Sequence, residues 1–533
     1  MAWHDPHRRP GVEAWLRDPA RLTGLTLALG ALLRVAFFQR NATPWGDESG
    51  LIYCELTASW AAVLRNGGDP MLMETPLYML MLKACGSLFG NHPYAFRLPS
   101  LLAGLAALPV FARLAGRALT PWSALVATYL VAVSEPLIYY SANAKQYGFD
   151  VLAVVLLALM LLELRDQERD FPWSLWIAGL VSLLLSFEMI FICAGLGCFV
   201  LLDALWQGRW RRAAITAAWG STWALVFIVQ YLGHLRPVIE SRALDLFWGS
   251  FNLPFPPHSL GDLVWYVTAA LRFFRDPLDF PEALSVGMLA ASGLLLLLRR
   301  SPAIALLLFS PLATYAVATV FQLAPVPTAL QALSSPVAFP LMGRVILFAL
   351  PLTLLFLASA LDWLQLLPKR RLRLLGGGAA AALLLWWSVP AVTATYEPPP
   401  GPDVRALAEA MAPRLEPDDI VFVQMFGLVT VQLEWAQRGW GNSFRYAVIR
   451  DENFRADLRR DVASLQDGQR FWLITLYSDY YPQMQQEKDV LVHVFTRFSF
   501  RLDSVRAGRV EAELFQVVPG FEDGSPAECG SLG

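Results

Sequence analysis

LTGLTLALGALLRVAFF (Leu22–Phe38) followed a few residues later by WGDES (Trp45–Ser49) is the stretch on which the reading of this chain turns. An apolar run of this length reaches across a hydrocarbon core of roughly 30 Å. Carboxylates are costly in hydrocarbon and cheap in water, so the adjacent acids Asp47 and Glu48 belong in an aqueous pocket bordering lipid. A membrane anchor followed directly by paired acids predicts chemistry at the membrane surface.

The rest of the composition agrees with that start. Of 533 residues, 56% are hydrophobic and only 16% charged, with a mean hydropathy of +0.45, the profile of a polytopic membrane chain rather than a soluble one. The net charge of −2 divides unevenly, basic up to about residue 395 and acidic beyond. No basic stripe of the kind nucleic acid requires is present. Five cysteines (Cys54, Cys85, Cys193, Cys198, Cys529) lack zinc or redox spacing. They read as buried thiols, with a Cys54–Cys85 disulfide as the alternative. Arg8, Arg9, Arg17 and Arg21 precede the first apolar run without a small-residue cleavage site after it, which predicts an uncleaved anchor with a cytoplasmic N-terminus.

Apolar runs at 22–38, 97–115, 119–139, 147–165, 172–187, 189–206, 212–232, 283–299, 302–322, 343–363 and 374–392 predict about 11 spans. Arg113/Arg117, Arg165/Arg169, Arg209/Arg211/Arg212, Arg299/Arg300 and Lys369/Arg370/Arg371/Arg373 then share the cytoplasmic side. That parity holds only if Pro76–Gly90, short and interrupted by Lys83, is an interfacial or re-entrant helix. Outside then lie residues 40–96, 140–147, Glu188, 233–282 and 323–342.

From Tyr396 a Glu-Pro-Pro-Pro-Gly-Pro linker opens a charged segment with short apolar runs. Asp403–Leu415 and Phe454–Leu465 read as helices; Ile420–Met425, Phe471–Leu476, Leu491–Phe498 and Ala512–Val518 read as strands. The expected architecture is therefore a polytopic α-helical membrane domain, 1–395, followed by an extracytoplasmic soluble α/β domain, 396–533. No internal repeat is visible.

Four segments carry a family resemblance. LLRVAFFQRNATPWGDESGLIY (32–53), ETPLYMLMLKACGSLFGNHPYAFRLPSLLAGLAALPVFARLAGR (74–117), YYSANAKQYGFDVLAVVLL (139–157) and PLMGRVILFALPLTLLFLASAL (340–361) occur in this order. Together they resemble the type C (GT-C) superfamily of membrane glycosyltransferases, in particular bacterial relatives of protein O-mannosyltransferases and of the aminoarabinose transferases that modify lipid A. The resemblance implies a polyprenyl-phosphate sugar donor, inverting transfer outside the cytoplasm to a lipid, protein or glycan acceptor, and a catalytic carboxylate in the first external loop. It also implies residence in a plasma membrane, a bacterial inner membrane. By residue matching that carboxylate is Asp47.

The physical reading of Asp47 as a general base agrees, because an acceptor hydroxyl attacking a sugar C1 must lose its proton as the bond forms. The competing reading is a helix N-cap before Leu51–Leu64. Glu48 could orient Asp47, bind a metal, pair with arginine, or serve as a first-turn acid. The departing lipid phosphate needs cationic partners. Arg34, Arg97, Lys145 and Arg344 are placed for this, with Gln146 and Tyr147 implied by the resemblance. Arg34 alternatively snorkels to the interface.

Two positions depart from the relatives: Asn143, where many carry glutamate, and Glu74, where lysine or histidine is frequent. No cofactor is required by the reading; a divalent cation held by Asp47, Glu48, Glu74 and His92 stays open, their spacing being undiagnostic. Glu188 reads as a cavity residue or a solvated junction carboxylate, His234 and His258 as loop residues, and Asn41-Ala42-Thr43 as an isolated glycosylation triplet. A transporter of lipid-linked sugars and a non-catalytic envelope-assembly scaffold are the rival readings. The absence of paired halves argues against the transporter. The sequence names neither sugar nor acceptor.

Overall fold

The computed structural model describes residues 18–44, 46–66, 74–166, 173–237, 255–275, 282–321, 323, 342–366, short stretches between 371 and 393, 403–424, 427–448, 452–476 and 482–519. Outside these lie Trp45, Arg8, Arg9, Arg17, Arg169, Lys369, Arg370, Arg373, Cys529, the proline linker, and most of the expected 323–342 loop and 374–392 span. The chain forms two compact units. One comprises Met1–Arg40, Trp60–Cys85 and Tyr94–Glu397; the other comprises Asn41–Ser59, Gly86–Pro93 and Pro398–Gly533.

The first unit is helical. Among the described residues, seven helices are long and apolar enough to cross a membrane: Pro19–Gln39, Pro93–Ala118, Tyr147–Arg165, Met189–Trp206, Trp210–Leu235, Ala283–Arg300 and Pro302–Val320. Four further expected spans are shorter or broken. The 119–139 run becomes Pro121–Ala132 and Glu135–Tyr140, and 172–187 becomes Trp173–Leu185. The 343–363 run is a 3-10 turn, Met342–Ile346, then Ala349–Ser359 and a second 3-10 segment, Ala360–Leu366. The fourth, Gly376–Trp387, falls in the incompletely described region. A count of about eleven thus rests on helices too short to qualify by length. Pro76–Phe89 is a 14-residue helix, shorter than a span, as its length and Lys83 suggested.

Local sequence fixes several helix starts. Asp18 accepts from Ala20 N at 3.0 Å and caps the first helix, with Pro19 in its first turn. Pro121 and Pro302 likewise open their helices, where a missing N–H costs nothing. At one end of the bundle Asp362 accepts from the Thr120 and Ser123 hydroxyls at 2.7 and 2.6 Å and meets Arg300 at 3.3 Å. That carboxylate ties together three helix ends.

Close helix packing in a bilayer depends on small residues, since lipid offers no hydrophobic penalty to leave behind. A Cβ on Gly30 would stand 2.8 Å from Ala132 Cβ, and one on Gly195 would stand 2.6 Å from both the Ser310 carbonyl oxygen and the Thr314 hydroxyl. Gly195→Val is therefore expected to separate Met189–Trp206 from Pro302–Val320 and to destabilise the protein by about 1–3 kcal/mol, as overpacking does. Thermal unfolding in detergent, with Gly197→Val as the control at a position with open space, checks this.

The second unit contains a five-stranded sheet in the order β2-β1-β3-β5-β4, with β1 Ile420–Gln424, β2 Ser443–Ala447, β3 Arg470–Leu476, β4 Ser499–Ala507 and β5 Val510–Val517. β1 pairs in parallel with β2 and β3, whereas β5 is antiparallel to β3 and β4. Side chains alternate along each strand. Val421, Val423, Trp472 and Ile474 pack with Leu407, Met411, Val431 and Trp435. Phe422, Phe471 and Leu473 pack on the other face with Leu458, Leu491 and Phe495. The result is a helix/sheet/helix sandwich.

One expected strand is wrong. Leu491–Phe498, rich in β-branched and aromatic residues, is the end of helix Pro482–Thr496 and the turn after it. Met484, Glu487, Leu491 and Phe495 are buried at helical spacing, a period that begins before the window and outweighs local β-propensity. Helix Leu428–Arg438 and strands β2 and β4 were not anticipated. Of the cysteines expected as buried thiols, Cys193 is buried, Cys54 and Cys85 are thiols that are only partly buried and are not joined in a disulfide, and Cys198 is exposed.

Candidate active site

In the second unit, Asp47 and Glu48 occupy the first turn of helix Gly46–Thr57, where the helix dipole favours negative charge. Asp47 is partly exposed, while Glu48, Ser49, Leu51 and Ile52 are buried. Asp47 thus lies inside the helix, one residue past its start at Gly46, instead of capping it from outside. Ser49 donates to the Pro44 carbonyl at 2.8 Å and closes the preceding turn. The helix packs on Leu428–Arg438. Arg405 donates to the Asn41 carbonyl at 3.0 Å, and Thr43 hydrogen-bonds Asp403 at 3.2 Å. Residues 41–59 are therefore built into the C-terminal unit, held by contacts that no local pattern announces. His92, in the same unit, is exposed.

In the first unit a second constellation is organised around the loop Ser141–Gln146. Asn143 Nδ2 donates to the Tyr139 carbonyl at 2.7 Å, and the Lys145 N–H donates to the Asn143 carbonyl at 2.8 Å. Ser100 Oγ donates to the Lys145 carbonyl at 2.9 Å. A Cβ on Gly104 would stand 2.6 Å from Ser141 Cβ, so this loop lies tight on helix Pro93–Ala118. The Gln146 carbonyl then accepts from Phe149 and Asp150 and starts helix Tyr147–Asp166.

With its backbone thus fixed, Lys145 is buried. Its Nζ lies 2.6 Å from Glu74 Oε1, and the two side chains are only 4% and 2% exposed. Glu188 is hydrogen-bonded by the Ser186 hydroxyl at 2.7 Å. Burial raises the Glu188 carboxyl above its ordinary range, opposed by hydrogen bonds from Ser186 and Gln146 and by the Lys145 ammonium. Asp150 is buried in the first turn of its helix and interacts electrostatically with both Glu188 and Glu74. Next to this group, Arg344 Nε donates to Tyr147 Oη at 3.0 Å, and the Tyr147 ring meets Tyr140 edge-on with centroids 5.1 Å apart.

Of the sequence-predicted residues, the buried Glu74, Lys145 and Gln146 thus share one cluster with the half-buried Glu188, and Tyr147 pairs with Arg344. Glu188 is not the solvated junction carboxylate of the alternative reading. Arg97 and Asn143 are buried. Arg34 neither snorkels nor pairs with a carboxylate in the contacts observed: it is buried and donates to the carbonyls of Gly30, Val131 and Ala132 at 3.1, 3.1 and 3.0 Å. Those bonds join the first span to the end of Pro121–Ala132. Among the described residues, no group of three His, Cys, Asp or Glu side chains is arranged to hold a metal ion. Asp150 and Ser186 were missed. A carboxylate inside the apolar run YGFDVLAVVLL was the available signal for Asp150; Ser186 offered none.

Residues 73–234 match the family model described as dolichyl-phosphate-mannose-protein mannosyltransferase. That segment contains the whole Lys145 cluster and leaves Asp47 and Arg344 outside. No curated protein sequence matches the chain. Among solved structures, ArnT from Cupriavidus metallidurans in the apo state superposes with a TM-score of 0.53 at 15% identity, covering 92% of this chain and 98% of that one. The same protein bound to undecaprenyl phosphate gives 0.51 at 16% identity with the same coverage. The Archaeoglobus fulgidus oligosaccharyltransferase in complex with Zn and sulfate gives 0.53 at 12% identity, covering 89% of this chain and 71% of that one. The family match and the shared fold together assign this chain a fold of the type C (GT-C) superfamily of membrane glycosyltransferases.

Proposed function

We propose that the chain is an integral-membrane glycosyltransferase that moves a sugar, hexosyl or pentosyl, from a polyprenyl-phosphate donor to an extracytoplasmic lipid, protein or glycan acceptor with inversion at C1. The observation that carries this reading is the Lys145 cluster, a buried cation with a hydrogen-bonding shell, lying within the segment matched by the mannosyltransferase model. The superposition with ArnT bound to undecaprenyl phosphate supports the same class of donor.

Asp47 takes the proton of the acceptor hydroxyl as the new C1–O bond forms and the C1–O bond to phosphate breaks. Glu48, buried beside it, positions that carboxylate. Lys145 and Arg344 offset the charge that develops on the leaving lipid phosphate, with Gln146 and Tyr147 orienting them. Residues 1–395 carry the catalytic groups in this reading, the N-terminus is cytoplasmic, and the α/β domain faces outward from a bacterial inner membrane.

The experiment is turnover of radiolabelled polyprenyl-phosphate hexoses and pentoses by the protein in nanodiscs. Release of free sugar or its transfer to added envelope lipid is expected. Binding of the lipid-linked sugar with movement across the bilayer and no cleavage would instead establish the transporter reading. Neither binding nor cleavage would leave the scaffold.

A further inference from the structure

The contacts that hold the chain just before Asp47 converge on one helix start in the C-terminal unit, to which residues 41–59 belong. Arg405 Nη1 donates to the Asn41 carbonyl at 3.0 Å, while its Nε faces Glu434 Oε1 at 3.5 Å. Glu434 lies on helix Leu428–Arg438, its side chain only 1% exposed, and also pairs with Arg438. A guanidinium is a planar fork that serves two acceptors in fixed directions, so the buried carboxylate on one side sets where the other N–H points. What it points at is a turn. Asn41 has a φ of +46°, a left-handed conformation that residues other than glycine seldom adopt. Two residues on, Thr43 donates to Asp403 at 3.2 Å, and Asp403 also caps helix Val404–Met411 by accepting from the Ala406 N–H at 3.0 Å. Asp403 and Arg405 therefore grip positions 43 and 41 from a single helix start.

Helix Leu428–Arg438 is used twice: it supplies Glu434, and it packs against helix Gly46–Thr57, which carries Asp47 in its first turn. Packing supports that helix along its length, and the gripped turn fixes the end at which the carboxylate stands. We propose that Arg405, with Asp403, is a positioning residue for Asp47, so that the α/β domain takes part in the reaction by holding the base in register. The inference rests on the reading in which Asp47 is the general base. A base works within about 2.6–3.2 Å of the hydroxyl it deprotonates, and a displacement of about 1 Å costs on the order of 10²-fold in rate. Arg405 acts through Asp47 alone. Loosening its grip slows proton removal and leaves the donor phosphate, received by Lys145 and Arg344, bound as before.

The test is turnover of a polyprenyl-phosphate sugar by the full-length protein in nanodiscs, for wild type, Arg405→Lys, Asp47→Asn and the double variant, with undecaprenyl-phosphate affinity and thermal unfolding measured on each. Arg405→Lys keeps a positive charge beside Glu434 and gives up the fork. It is expected to lower kcat by about 10²-fold, with Kd at the wild-type value and a Tm displaced no further than in Arg414→Lys, the same change at the Arg414–Asp503 pair of that unit. In the Asp47→Asn background the same substitution is expected to lower the residual rate no further, because residues that act as one unit are not additive. Wild-type kcat in Arg405→Lys, a fall in kcat matched by lost affinity or stability, or a further fall in the double variant overturns the proposal and leaves the glycosyltransferase reading standing. Wild-type turnover in Asp47→Asn overturns the assignment of the base and this proposal with it. Where the Asp47→Asn rate lies below detection, kcat and Kd of Arg405→Lys decide. If Arg405→Lys does not fold, Thr43→Val releases the other grip at a partly exposed position: a lowered kcat with unchanged Kd supports the proposal, and wild-type kcat overturns it.

Discussion

Asp47→Asn is expected to lower sugar transfer by about 10²- to 10⁴-fold, the range a positioned general base supplies, while undecaprenyl-phosphate affinity stays at the wild-type value. The substitution keeps size and hydrogen-bonding capacity and removes only the proton acceptor. Asp47 is partly exposed in the first turn of its helix, where asparagine gives up a helix-dipole contribution of about 0.3–1 kcal/mol. Folding is therefore spared, and thermal unfolding alongside the turnover assay separates lost chemistry from lost structure. Wild-type turnover in Asp47→Asn would remove Asp47 from the mechanism. Glu48→Gln is a different experiment, because Glu48 is fully buried; loss of stability there reports packing as much as catalysis.

The second large effect is at Lys145. Lys145→Ala removes one partner of a buried ion pair, which typically costs about 3–5 kcal/mol. In a protein of ordinary marginal stability that is a large share of the total. Poor yield and early unfolding in detergent are the expected results. Replacing both partners, as Lys145→Met with Glu74→Leu, should recover most of the stability, since an apolar pair of similar volume satisfies the site without desolvated charge. The double variant should still fail to bind undecaprenyl phosphate. Wild-type stability of Lys145→Ala would show that the Lys145–Glu74 ion pair contributes nothing to folding. Retained lipid-phosphate binding in the double variant would remove Lys145 from donor recognition.

These effects differ in kind because the residues occupy different environments. Asp47 sits at a helix start on a segment fixed to the C-terminal unit by Arg405 and Asp403. Lys145 is enclosed by a loop that Ser100, Asn143 and Gly104 hold in place. Mutations at the first should read out mainly in rate, at the second in both binding and stability.

Much of this was legible in the chain. Long apolar runs must become helices in lipid, because every backbone N–H and C=O has to be satisfied within the segment; seven of them did so at nearly the expected bounds. Short continuous apolar runs in Ile420–Gln424 and Arg470–Leu476 likewise became strands buried along nearly their whole length. The ionisable residues in or beside apolar runs, Arg34, Lys145, Glu188 and Arg344, stood out for the same reason of cost. What the linear order could not decide was which charges pair. Arg34 found three backbone carbonyls in place of a carboxylate, and Glu74 reached Lys145 from 71 residues away. It also could not show that residues 41–59 fold with the C-terminal unit, or that Leu491–Phe498 completes a helix begun at Pro482. Local propensity and hydropathy act over a few residues and are written in the sequence. Pairing of buried charges is decided by desolvation and geometry, which come into being only when distant segments are brought into contact.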